Sequence, residues 1–193
     1  NLNNTPVDES TREFELIPHG TVVRAIISLK PGDMEIPEFG RGNWFKKSVN
    51  TGAKWAQLEL TVFGGPYDRR KVWDNIFVDG DKMGQSGIPV AKEIGLRTLR
   101  SIIESHNNLD PADMSEAAQS KRQISGIDQL NGMEICAKVK VEKGTNGYAD
   151  QNKILIVLTP NSKDFISGGA APITSQAPQP QATASGPVPD WAR

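Results

Sequence analysis

The chain is poor in the residues that usually do chemistry. Of its 193 residues, one is a cysteine (Cys136) and two are histidines (His19 and His106). A single thiol excludes an internal disulfide and argues for a reducing, cytoplasmic compartment. One cysteine and two histidines also leave no Cys/His zinc cluster. No apolar run approaches the ~18 residues needed to suggest a membrane span. The polar stretch Asn1–Arg12 has no apolar signal-peptide core. The phosphate-cradling patterns G-x-x-x-x-G-K-[ST] and G-x-G-x-x-G are missing, as is the nucleophile pattern G-x-S-x-G. Asp74, Asp79 and Asp81 lie close together, but Asp79 and Asp81 flank Gly80 and read as turn acids rather than metal ligands. His106 reads as a partner of a helix C-terminus. The expectation is a chain that is not an enzyme, with no catalytic residues, metal or cofactor. A metal-dependent nuclease rests only on scattered carboxylates.

An excess of charge is missing too. The net charge is −1. Asp190 and Arg193 cancel, so residues 1–165 also carry −1. Dedicated duplex-DNA binders are usually strongly basic, and this balance counts against that role. Single-strand binding remains open, because one basic groove suffices and stacking supplies much of the energy.

What is present is a distinctive order of elements. Thr21–Leu29 alternates, with Val23, Ala25, Ile27 and Leu29 on one face. A loop over residues 30–53, rich in Gly, Pro and charge, is long enough to suggest function. Trp55–Phe63 follows, with Ala56, Leu58, Leu60 and Val62 as its core set. Gly64-Gly65-Pro66 marks a turn, and Arg70–Val78 pairs back as a hairpin. Ile88–Ser105 reads as a helix with Pro89 in its first turn and a stripe of Ile94, Leu99, Ile102 and Ile103. Gly95 fits that helix poorly. Residues 109–131 are polar, with a short helix around Met114–Arg122. Met133–Glu142 is the fourth strand, with Ile135, Ala137, Val139 and Val141 on one face and Cys136, Lys138 and Lys140 on the other. Gly144–Gly147 is a hairpin turn, and Lys153–Leu158 is the fifth strand.

The order β-β-β-α-β-β predicts a mainly β chain: a five-stranded OB-type Greek-key barrel with one helix between strands three and four. The expected organisation is a flexible arm at 1–13, a binding domain at 14–165, and a disordered Pro/Ala/Gln-rich tail at 166–193. Trp191 in that tail is either a docking element or an incidental aromatic.

Such barrels bind ligands across strands two and three and the loops beside them. If the core sets hold, Trp55 and Phe63 point outward from strand two, and Trp73 and Phe77 from strand three, beside Arg69, Lys71 and Asn75. Bases stack on exposed rings while Lys and Arg follow the phosphates. The long loop adds Arg41, Trp44, Phe45, Lys46, Lys47 and Lys54, either as an arm over a strand of nucleic acid or as a loop folded onto its own domain. The last hairpin adds Lys138, Lys140, Lys143, Tyr148 and Lys153. Edge-strand lysines also serve simply to block aggregation.

The run RRKVWDNIFVDG, the lead-in IDQLNG (Ile127–Gly132) and Asn152-Lys153-Ile154 give the chain a family likeness. Over residues 14–165 it resembles small phage-encoded proteins of the replication and recombination genes, themselves similar to single-stranded DNA-binding proteins. The resemblance implies an OB-type barrel and binding of single-stranded DNA without strong sequence preference. It also implies work beside phage or host replication and recombination proteins in the bacterial cytoplasm. Separately, no membrane partner is expected, and the chain is expected to be a monomer or homodimer. The likeness departs at the end. Such proteins commonly finish in an acidic tail, whereas this chain ends PVPDWAR. The rival reading is a protein-interaction or assembly module on the same barrel, motivated by the near-neutral charge.

Overall fold

A computed structural model describes residues 15–145 and 147–167. The expected arm and the tail from residue 168 onward, Trp191 included, lie outside the described residues. Ile166 and Ser167, assigned to the tail, are placed, and the Ile166 N–H donates to Cys136 Sγ at 3.4 Å.

The chain is mainly β. Six strands run in the order β1 (Val22–Leu29), β2 (Phe45–Lys47), β3 (Lys54–Phe63), β4 (Lys71–Asp79), β5 (Glu134–Glu142) and β6 (Gln151–Leu158). Helix α1 (Val90–Asn107) and the short α2 (Glu116–Lys121) fall between β4 and β5. All pairings are antiparallel, in one open sheet. The sequence suggests five strands; the sixth is β2, inside the long loop. At three residues it is too short to show a period.

β3 organises the sheet. β4 pairs along one edge, from Lys54↔Asp79 to Thr61↔Lys71. β1 and β2 share the other edge, β2 taking Lys54–Ala56 and β1 taking Leu58–Phe63. β5 pairs the far side of β1, and β6 pairs β5. The alternation in β1 and β3 buries the expected sets, Val23/Ala25/Ile27/Leu29 and Ala56/Leu58/Leu60/Val62. They form one core with Val72, Ile76 and Val78 of β4 and Ile135, Ala137 and Val139 of β5.

β4 and β6 lie side by side without a ladder between them. Asp74 spans the seam, its Oδ2 accepting from the Ile154 N–H at 3.0 Å while Oδ1 accepts from the Asn75 N–H at 2.8 Å. Burial pushes the Asp74 carboxyl above its usual range, and these two N–H groups partly offset that. Charge on Asp74 therefore opposes folding increasingly as pH rises from the unfolded carboxyl value to the raised folded one.

Helix α1 buries Leu99, Ile102 and Ile103 as its stripe requires. Ile94, expected in that stripe, is exposed at the rim of an apolar cavity beside β6. The misfit Gly95 has a physical reason. It is buried against β4, where a methyl group would overlap the Phe77 carbonyl oxygen. Glycine there lets helix and strand backbones touch. Among the described residues, no helix is long and apolar enough to cross a membrane.

Two substitutions test this architecture by urea denaturation. Gly95→Ala improves helix propensity by up to about 1 kcal/mol, yet overpacking is expected to win and destabilise by about 1–3 kcal/mol. An unchanged or raised midpoint would show that α1 does not rest on β4 at this point. Asp74→Ala is expected to cost about 1–3 kcal/mol by leaving the Ile154 N–H unpaired. A change within ~0.3 kcal/mol would show that the seam does not depend on the carboxylate.

Candidate nucleic-acid interface

The outer face of β3 and β4 is fixed by the core on the other side. With Leu58, Leu60, Val72 and Ile76 inward, period two turns their neighbours outward. The register then builds cross-strand rows: Trp55 opposite Phe77, Gln57 opposite Asn75, Glu59 opposite Trp73, and Thr61 opposite Lys71. Trp73 is 44% and Phe77 39% exposed, unusually open for large aromatics. Trp55 is half-buried, with its ring centroid 5.9 Å from that of Phe77. Two aromatic platforms thus lie along the face, Trp55/Phe77 and Trp73.

The flanks are basic. Lys46 lies beside Trp55 across the β2–β3 pairing, and its Nζ donates to Gln57 Oε1 at 2.9 Å. Lys30, just after β1, and Lys71 of β4 both reach Glu59, at 2.7 and 2.6 Å. Glu59 is only 8% exposed. Hydrogen bonds from Lys30 and Lys71 hold its carboxyl below the usual range, against the opposing effect of burial. Beyond Trp73, a cavity of about 560 Å³ continues the face between Arg69, Lys71 and the base of the β5–β6 hairpin at Gln151 and Asn152.

The other expected contacts fall in different places. Phe45 is fully buried, in tilted contact with Phe39, and is a core residue rather than a stacking surface. Trp44 packs against the core and donates Nε1–H to the Arg41 carbonyl at 3.1 Å. The 30–53 loop is therefore folded onto its own domain, with a Glu38–Lys92 pair at 2.8 Å tying it to α1. Lys47 is exposed, while Lys54 is held by Asp79 at 2.6 Å. Phe63 is half-buried beneath the Arg24 guanidinium, 4.5 Å from its centroid. Arg69 is exposed at the β3–β4 turn in a left-handed conformation, φ 64°.

Three of the four lysines on the β5–β6 hairpin are in ion pairs: Lys138 with Asp164 at 2.6 Å, Lys140 with Glu142 at 3.1 Å, and Lys143 with Asp150 at 2.6 Å. Tyr148 projects from the hairpin, 80% exposed. The face thus unites Trp55, Trp73, Phe77, Lys46 and Lys71, with Arg69 at one end. It leaves Phe45 and Trp44 apart. His106 Nδ1 accepts from the Glu134 N–H at 3.2 Å, linking α1 to β5.

Sequence reasoning misses Arg24, Lys30, Gln57 and Glu59 as site residues. All but Lys30 carry a legible signal, since they sit at the outward positions of the alternating strands β1 and β3. Glu59 generates a test. Its depressed carboxyl contributes stability above the unfolded value of about 4.3 and loses it as pH falls through the lower folded value. Glu59→Gln is expected to be less stable by about 1–2 kcal/mol at neutral pH, where Lys30 and Lys71 lose their partner. The gap should close in acid, as read from urea midpoints across that range. A gap of constant size would show that the carboxylate charge is not what holds the lysines.

No protein-family model matches this chain, and no curated protein matches it.

Proposed function

We propose that this protein binds single-stranded DNA with little sequence preference, using the outer face of β3 and β4. The observation that carries the reading is the aromatic series of half-buried Trp55 with exposed Phe77 and Trp73 on one sheet face, flanked by Lys30, Lys46 and Lys71. Every base offers a π-face, so such platforms tolerate sequence, and stacking contributes about 1–3 kcal/mol per base. The strand order supports an OB-type reading. With β2 set aside, five strands and α1 follow the β-β-β-α-β-β order, and β4 approaches β6 where a closed barrel would pair them. In this reading the chain serves DNA replication or recombination, as its family likeness implies.

A second reading, an interaction module, is favoured by one observation. Ile94, Leu155 and Ile156, 56%, 46% and 54% exposed, rim an apolar cavity of about 420 Å³ at the β4–β6 seam. Exposed apolar patches of this kind can mark protein contacts.

Tryptophan fluorescence during titration with poly-dT separates the two readings. Single-strand binding predicts strong quenching. With two to three phosphates neutralised by Lys30, Lys46 and Lys71, the log–log salt slope should be about −1.4 to −2.1. Trp55→Ala and Trp73→Ala should each weaken binding by about 5- to 100-fold. A folded protein that shows no quenching, or binds duplex equally well, would overturn the proposal and leave the interaction module.

A further inference from the structure

The row between the two aromatic platforms contains no ring and no charge. It holds two carboxamides, Gln57 on β3 directly opposite Asn75 on β4. Same-face rows along a strand are about 6.7 Å apart. The amide row therefore lies about 6.7 Å from each platform, and the platforms are about 13 Å apart. A stretched, unstacked strand spaces successive bases by roughly twice the duplex rise of about 3.4 Å. Three consecutive bases would then meet a platform, the amide row and a platform in turn. The outer two find rings. The middle one finds hydrogen-bonding groups.

Both amides have unused capacity. Gln57 Oε1 accepts from Lys46 Nζ at 2.9 Å, which orients the carboxamide and leaves its NH₂ group without a partner among the described residues. The Asn75 carboxamide makes no hydrogen bond there; only its backbone N–H is used, toward Asp74. Both side chains are half-exposed, so water serves them in the free protein. A row built for phosphate would carry Lys or Arg, and a row built only for stacking would carry another ring. A carboxamide instead offers a donor beside an acceptor, the pattern found on the pairing edge of a base.

We propose that Gln57 and Asn75 form an edge-reading step, in which one unpaired base between the stacks hydrogen-bonds its Watson–Crick edge to the two carboxamides. Asn75 can turn its oxygen or its nitrogen toward the base, so the step accepts more than one base. It rejects a base whose edge is already occupied by a complementary strand. The step adds discrimination against duplex to a face whose stacking alone recognises any exposed base. The proposal rests on the reading of this face as a single-strand groove.

The test changes the base edge without changing its shape. A thymine oligonucleotide and the same strand built from difluorotoluene, the non-hydrogen-bonding isostere of thymine, are titrated against the wild-type chain and Gln57→Ala/Asn75→Ala. Both substitutions are on the outer face, and circular dichroism checks the fold. The thymine-over-isostere affinity ratio is expected to be about three- to tenfold higher for the wild type than for the double variant. Equal ratios would overturn the edge-reading step. If Trp55→Ala and Trp73→Ala still weaken binding of both strands, that failure is confined to the amides. If they do not, or if neither strand binds, the groove itself is wrong and the proposal falls with it.

Discussion

The structure depends on β3 being paired along both edges. β4 takes Lys54–Thr61 on one side, while β1 and β2 divide the other. A strand held this way cannot slip by one residue without moving Ala56, Leu58, Leu60 and Val62 out of the core and Trp55, Gln57, Glu59 and Thr61 into it. The register that buries the core is the same register that sets Trp55 against Phe77 and Glu59 against Trp73. Core and candidate site are opposite faces of one constraint. Pairing by β2 extends it to the loop, seating Phe45 in the core and leaving Lys46 beside Trp55.

Helix α1 supports the same sheet through β4. Its contact at Gly95 brings the helix backbone onto the β4 backbone at Phe77, one of the platform residues. The far end of the helix is anchored by charge. Glu104, 2% exposed, accepts from both Arg100 and Arg122 at 2.7 Å. Arg122 also donates to the Asp110 and Asp113 carbonyls, so hydrogen bonds tie the start of the polar segment after α1 to the same anchor. A buried carboxylate is costly to leave unpaired, and the second arginine keeps Glu104 compensated if the first contact opens.

The sequence discloses whatever a period of two can encode. Val23 to Leu29, Ala56 to Val62 and Ile135 to Val139 alternate cleanly, and their buried faces are legible from that alternation alone. Cys136 falls on the opposite face from Ile135 and Ala137, yet it is buried as well. The Ser105 hydroxyl at the end of α1 accepts from its N–H at 3.0 Å, and the Ile166 N–H reaches its sulfur. No local pattern announces a cover drawn from such distant segments. The same holds for the hairpin lysines. Asp164 lies 26 residues after Lys138, so a run that looks basic in sequence is neutralised in space. Phe45 has the look of a residue in a basic, aromatic loop. Only the short β2 pairing, invisible to periodicity, explains why it is core while its neighbour Lys46 is not. Gly95 is legible as an anomaly but not as a contact.

The near-neutral charge that argues against duplex binding takes a specific form on this face. A carboxylate beside Trp73 on a surface proposed for a polyanion looks misplaced, since it repels phosphate. Glu59, however, holds Lys30 from the β1 side and Lys71 from the β4 side, and the triad carries a net positive charge. Fixing two flexible ammonium groups in advance lowers the entropy lost when they meet phosphates. Lysines at the flanks and rings along the face set the orientation. In the proposed complex the sugar–phosphate chain runs along an edge of the face, with its bases turned inward onto Trp55, Phe77 and Trp73. A duplex, whose bases are turned toward each other, has nothing to place there.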